Sequence, residues 1–117
     1  MRMLIFNVCA AVLASAAHGQ TAEPPKTWTI CAACHAVQGP AAIGPTLDGV
    51  VGRRAGSVPG FGYSRAMKSA GITWDEESLT AFLGDPQRIV PGNRMAFAGV
   101  QDSGDLVELV RYLMTLR

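Results

Sequence analysis

Apolar residues along this chain fall into distinct regimes. From Met3 to Ala14 they form a run broken only by Asn7, with Arg2 ahead and Ala17-His18-Gly19 behind. A positive start, a short apolar stretch and small residues at the cut mark a cleaved secretory leader over residues 1–19. Cleavage after Ala17 is the alternative, and the run is short of the roughly 20 residues a membrane span needs. Gln20 to Lys26 is polar and proline-bearing; Pro25 can open a helix at its first turn, leading into Trp28, Ile30 and Cys31. From Gly39 to Tyr63 neither a helical nor a strand period is sustained. Ser64 to Ala70 reads as a short helix stopped at Gly71. Thr73-Trp74-Asp75-Glu76 reads as a capping box opening a helix through Leu79, Phe82 and Leu83, halted at Gly84-Asp85-Pro86. A last helix starts near Ser103 and presents Leu106, Leu109 (or Val110), Leu113 and Leu116 at helical spacing. There is no strand signal and no internal repeat. The pattern predicts a single all-α domain over residues 20–117: a few short helices, a long loop and too little apolar surface for a generous core.

Composition changes this picture in two places. The chain has 117 residues with ten Lys and Arg against nine Asp and Glu; without Arg2 the balance is nine against nine. No basic stripe exists, so nucleic acid is not an expected partner. Losing the leader also removes Cys9 and His18, leaving Cys31, Cys34 and a single histidine, His35. Cys9 sits too early in the apolar run, after Asn7 and Val8, to be a lipidated cysteine. An exported protein without stable membrane insertion, located in the periplasm, is expected.

Cys31-Ala32-Ala33-Cys34-His35 carries the chemistry. C-x-x-C-H is the attachment pattern of a c-type haem. Thiols three residues apart share a helix face, so they can form thioethers with two vinyl groups along one porphyrin edge. The next residue, His35, is then placed to ligate the iron. A zinc site would need more ligands than the chain retains, and a thioredoxin-like pair would need a βαβ context that is absent. A buried haem also accounts for the long loop and the thin core.

One histidine leaves the sixth iron position open. Among Met67, Met95 and Met114, Met95 differs: Pro91-Gly92-Asn93-Arg94-Met95-Ala96-Phe97-Ala98-Gly99 puts it in an irregular loop that can deliver a thioether without helical constraint. Met114 suits a filler role in the last helix.

The C-A-A-C-H motif, Gly44-Pro45-Thr46-Leu47-Asp48-Gly49 with Gly52-Arg53, Pro59-Gly60-Phe61-Gly62-Tyr63, Gly71-Ile72-Thr73-Trp74 and the Pro91–Gly99 loop occur in order from about Thr29 to the C-terminus. Together they resemble class I cytochrome c, the mitochondrial and bacterial c2-type members most closely. The resemblance implies the small class I cytochrome c fold wrapped around one covalent haem c, with His35 and Met95 as axial ligands. It also implies that the Pro45 carbonyl accepts the other ring N–H of His35. Arg53, Tyr63, Trp74 and Asn93 fall where the family bonds or screens the haem propionates. With a filled coordination sphere, the implied activity is one-electron transfer between redox proteins rather than catalysis.

Several positions depart from that family. Glu23 and Thr27 stand where a glycine and an aromatic residue usually cross the last helix; Trp28, one residue late, is placed to dock on Leu109 or Tyr112. Met67 stands where the family often has Asn, and the loop from His35 to Pro45 is two residues shorter than in the mitochondrial proteins. The lysine ring of the mitochondrial relatives is replaced by Ile30, Gln87, Arg88, Arg94, Gln101 and Asp102. Only the two arginines keep the charge of that ring. A different redox partner, or one that docks largely through apolar contact, is therefore expected, a periplasmic dehydrogenase or a membrane oxidase among the candidates, with the carrier itself a monomer. Two alternatives stay open: a small peroxidase or gas-binding protein with Met95 labile, and a subunit permanently bound to a dehydrogenase.

Overall fold

Five helices and no strand occur among residues 22–117, the part of the chain that this computed structural model describes. The leader expected over residues 1–19, with Cys9 and His18, lies outside them. The all-α expectation holds; a single isolated bridge pairs Arg54 with Thr73.

The chain starts to turn at Pro25, whose carbonyl accepts from the Trp28 N–H at 2.9 Å, and continues into α1 (Trp28–Ala32). This helix buries no residue fully. Trp28 meets Tyr112 edge-on, with ring centroids 5.1 Å apart and planes at 63°, which is one of the two dockings expected from the sequence.

Residues 39–63 have no regular helix or strand. Their backbone donors find acceptors in flanking chain instead: Leu47 N–H bonds Ala36 at 3.0 Å, Gly49 N–H bonds Leu116 at 3.0 Å, Gly52 N–H bonds Trp74 at 2.7 Å and Ala55 N–H bonds Ile72 at 2.8 Å. These ties hold the loop against both ends of the domain. The short helix expected over 64–70 is α2 (Arg65–Lys68), capped by the Ser64 hydroxyl accepting from the Met67 N–H at 3.0 Å.

Helix α3 (Glu76–Gly84) starts later than its expected capping box. Asp75 is the N-cap; its carboxylate accepts from the Ser78 N–H at 2.7 Å, while the Ser78 hydroxyl accepts from the Asp75 N–H at 2.9 Å. Thr73 is not available as a cap because it pairs with Arg54, and the Trp74 N–H bonds the Arg53 carbonyl at 2.9 Å. Gly84 ends α3 as expected. Asp85-Pro86, read as a stop, is also a start: Asp85 caps α4 (Pro86–Ile89) with Pro86 in the first turn, where its missing N–H costs nothing.

Helix α5 (Ser103–Leu113) is capped by the Asp102 carboxylate, which accepts from the Asp105 N–H at 2.9 Å. Leu109, Val110 and Leu113 are buried, Leu106 is half-buried, and Leu116 is buried just beyond the helix. Helix α3 packs on α5 and beside α4. The core joins Leu79, Phe82 and Leu83 of α3 to Leu109, Val110 and Leu113 of α5, then extends through Trp74 to Val50 and Ala55 of the loop.

Candidate functional site

A cavity of about 520 Å³ opens between α1, the 39–63 loop, α3 and the Met95 loop. Its floor is the core itself: Val50, Trp74, Leu79, Phe82, Leu83 and Leu113 all face it. Cys31, Cys34 and His35 come to this cavity from α1 and the turn that follows. The N–H groups of Cys34 and His35 both bond the Cys31 carbonyl, at 3.0 and 2.9 Å, so the helical turn presents both thiols on one side. Burial pushes the Cys31 thiol pKa up, and the neighbouring Cys34 adds to that, while a backbone hydrogen bond opposes it. The thiol is therefore protonated at neutral pH.

His35 Nδ1 lies 2.7 Å from the Pro45 carbonyl, the contact implied by the family resemblance. A carbonyl can only accept, so Nδ1 carries the hydrogen, and in the neutral imidazole Nε2 then has the lone pair. Gly44, whose N–H bonds the Cys34 carbonyl at 2.9 Å, lies against the ring: a Cβ there would fall 2.5 Å from His35 Cε1. The glycine is required by this close approach. Met95 lines the same cavity, as does Met67.

The residues expected to meet propionates divide. Arg53, Tyr63 and Trp74 line the cavity; Asn93 does not. Arg53 donates to the carbonyls of Thr46 at 2.8 Å and Asp48 at 3.2 Å, which fixes its guanidinium beside the cavity. The Tyr63 oxygen accepts from the Val58 N–H at 3.1 Å, leaving its own hydrogen free to donate. Asn93 is buried and fully engaged elsewhere. Its Nδ2 donates to Pro86 at 3.0 Å and Val90 at 2.9 Å, and its Oδ1 accepts from the Met95 N–H at 3.0 Å. These bonds tie Asn93 to the loop that carries Met95, and the structure does not bring it to the cavity with Arg53, Tyr63 and Trp74. An Asn two residues ahead of its backbone partner is the spacing of an Asx turn, the signal that could have shown this. Arg54 and Arg94 also line the cavity and were missed as site residues, since arginines in loops carry no positional signal.

No protein-family model matches the chain. Individual relatives do. The sequence is 44% identical over 97 residues to cytochrome c2 iso-2 of Magnetospirillum molischianum, a match covering 82% of this chain and 100% of that protein. It is 41% identical over 118 residues to cytochrome c2 of Blastochloris viridis, covering 97% and 92% respectively. The chain belongs to the class I c-type cytochromes. Cytochrome cH from Methylobacterium extorquens, a solved structure at 41% identity, superposes with a TM-score of 0.73 over 77% of this chain and 92% of its own. As a class I cytochrome the protein is an electron carrier with one covalent haem c and not an enzyme, which sets the peroxidase alternative aside.

The cavity suits that group on its own evidence. Its volume falls within the roughly 300–1,000 Å³ of cofactor sites. Two thiols and an imidazole with a free Nε2 converge on it. Arg53, Arg54 and Arg94 are its charged lining, and no carboxylate joins them among the described residues, as an anionic edge requires. Trp74 is 7% exposed and lines the same cavity, where an indole N–H can donate to a propionate oxygen. No helix among the described residues is long and apolar enough to cross a membrane.

Proposed function

We propose that this cytochrome is a periplasmic one-electron carrier, released from a leader over residues 1–19, whose domain spans residues 20–117. Cys31 and Cys34 would hold its haem through thioethers, and His35 and Met95 would ligate the iron. The observation that carries this reading is the arrangement of one cavity: it is faced by both thiols, by Met95, and by an imidazole whose Nδ1–H is fixed on Pro45 so that Nε2 is left to coordinate.

The bound haem supplies an iron that cycles between Fe(III) and Fe(II). The protein sets the terms of that cycle. A soft, neutral thioether and an apolar wall that excludes water both favour Fe(II) and raise the potential. Arg53, Tyr63 and Trp74 screen the propionates. Two side-chain ligands leave no open position for small oxidants, which supports electron transfer as the whole of the function.

The mouth of the cavity supports apolar docking of the redox partners. Ile30 is 60% and Ile43 76% exposed, and both line the cavity beside exposed Ala96. A periplasmic dehydrogenase or a membrane oxidase with an apolar docking face fits this surface, met by a monomeric carrier.

The ligand assignment is tested by the ferric absorption spectrum of the purified holoprotein. The near-red charge-transfer band of a Met-to-Fe(III) bond is expected, lost in Met95→Ala and kept in Met67→Ala. Loss of the band in Met67→Ala alone would reassign the sixth ligand.

A further inference from the structure

The loop that carries Met95 leaves α4 at Val90 and runs to Gly99 without regular structure. Its backbone polar groups need partners from outside any ladder. Two side-chain amides supply them. Gln87, an exposed residue of α4, donates from Nε2 to the Asn93 carbonyl at 2.9 Å and accepts at Oε1 from the Gly92 N–H at 3.1 Å. Buried Asn93 donates back to Pro86 and Val90 and accepts from the N–H of Met95 itself. The amides thus engage one another's surroundings: Gln87 holds the backbone of Asn93, and Asn93 holds the backbone of Met95. Arg94 adds a tie across the cavity mouth, donating to the Gly62 carbonyl at 2.7 Å.

We propose that Gln87 and Asn93 form an amide clamp whose task is to position the Met95 thioether on the iron. Both are positioning residues, acting through the loop backbone; the proposal rests on the His/Met reading above. The clamp is needed most in the ferric state. A soft thioether holds Fe(III) weakly, so the iron contributes little to keeping the loop closed and the protein must contribute the rest. Gln87 is the informative handle because it is exposed and makes both of its bonds to the loop, with no part in the core.

The test is competition by imidazole for the ferric holoprotein, followed by bleaching of the near-red band. An entering ligand must wait for Met95 to leave, so its apparent affinity scales with the fraction of open loop. Removing two hydrogen bonds in Gln87→Ala is expected to lower the imidazole concentration at half-bleaching about tenfold. Gln87→Glu keeps the acceptor for Gly92 but offers the Asn93 carbonyl no hydrogen, and should fall between the two. Thermal unfolding followed by far-UV circular dichroism of the same proteins separates positioning from general stability. Half-bleaching at the same concentration in Gln87→Ala and the unaltered protein would overturn the clamp, as would a change that only mirrors a lowered unfolding midpoint. Absence of the band from the unaltered ferric protein would overturn the Met95 assignment itself, and the clamp with it.

Discussion

Gly44 shows how narrowly a single position can be determined. A Cβ built there falls 2.5 Å from His35 Cε1 and 2.7 Å from Nδ1, so even a methyl group must push the imidazole or break its bond to Pro45. Overpacking of this kind costs about 1–3 kcal/mol, here directed at the proposed iron ligand. Gly44→Ala is expected to lower the ratio of covalent haem to polypeptide in purified protein and to shift the thermal midpoint down. An unchanged ratio and midpoint would mean that the ring has room. The sequence placed Gly44-Pro45 beside the histidine only through family likeness, because ten residues separate His35 from Pro45 and spacing says nothing about their approach. Cys31, Cys34 and His35 stood out for a different reason: beyond the expected leader they are the only cysteines and the only histidine, whereas Met95 stood out among three methionines by its irregular loop. Asn93 was harder to place, because a polar residue beside a loop methionine can serve the cofactor or the backbone, and its three bonds to Pro86, Val90 and Met95 are loop contacts that spacing alone does not give.

At the scale of elements, helix starts are set by caps and by what competes for them. Asp75 is exposed, and its carboxyl is held below the ordinary carboxylate range, chiefly by the Ser78 N–H and then by the Ser78 hydroxyl. A lowered folded-state pKa means that the ionised cap stabilises the fold above the unfolded carboxylate value of about 3.9. That stabilisation fades as pH falls through the lower folded value. Asp75→Asn should therefore lower the urea midpoint near pH 7, with the gap from the unaltered protein narrowing towards about pH 3. A gap independent of pH would deny the charge its part. Trp28 is the anchor of a first helix that buries nothing completely. Its edge contact with Tyr112 is of a kind worth about 0.5–1.5 kcal/mol. Trp28→Ala is expected to lower the thermal midpoint by several degrees in a domain of this size, and no change would refute the docking. The periodicity marked α3 and α5 because their apolar faces are long. It missed α4, since one turn closed by Asp85 and Pro86 has no room for a period.

For the whole molecule, charge and apolar surface point the same way. Residues 22–117 carry nine basic and nine acidic side chains, so the net charge of the polypeptide adds little long-range steering towards an oppositely charged partner. The mouth of the cavity is edged by exposed Ile30 and Ile43 beside Arg94, with no carboxylate in the lining among the described residues. Electron-transfer rates with a physiological partner are expected to change little as salt rises from low to physiological strength. A steep fall would reveal a charged docking face. The cavity also explains the thin core: six core side chains, from Val50 to Leu113, face the space that the haem would fill. The prosthetic group is thus a structural partner of the fold as well as its working part.

What the sequence determined by itself is local or chemical. Helix faces, Gly and Pro stops and the C-x-x-C-H motif depend on neighbours within a few residues, and residue likeness carried the family. Tertiary structure alone decided which long-range partners meet. It moved the cap of α3 to Asp75 by pairing Thr73 with Arg54 and brought Pro45 to His35. It also closed Gln87 and Asn93 around the Met95 loop. Such contacts are set by how a packed chain satisfies its remaining backbone groups, and that is a property of the whole fold.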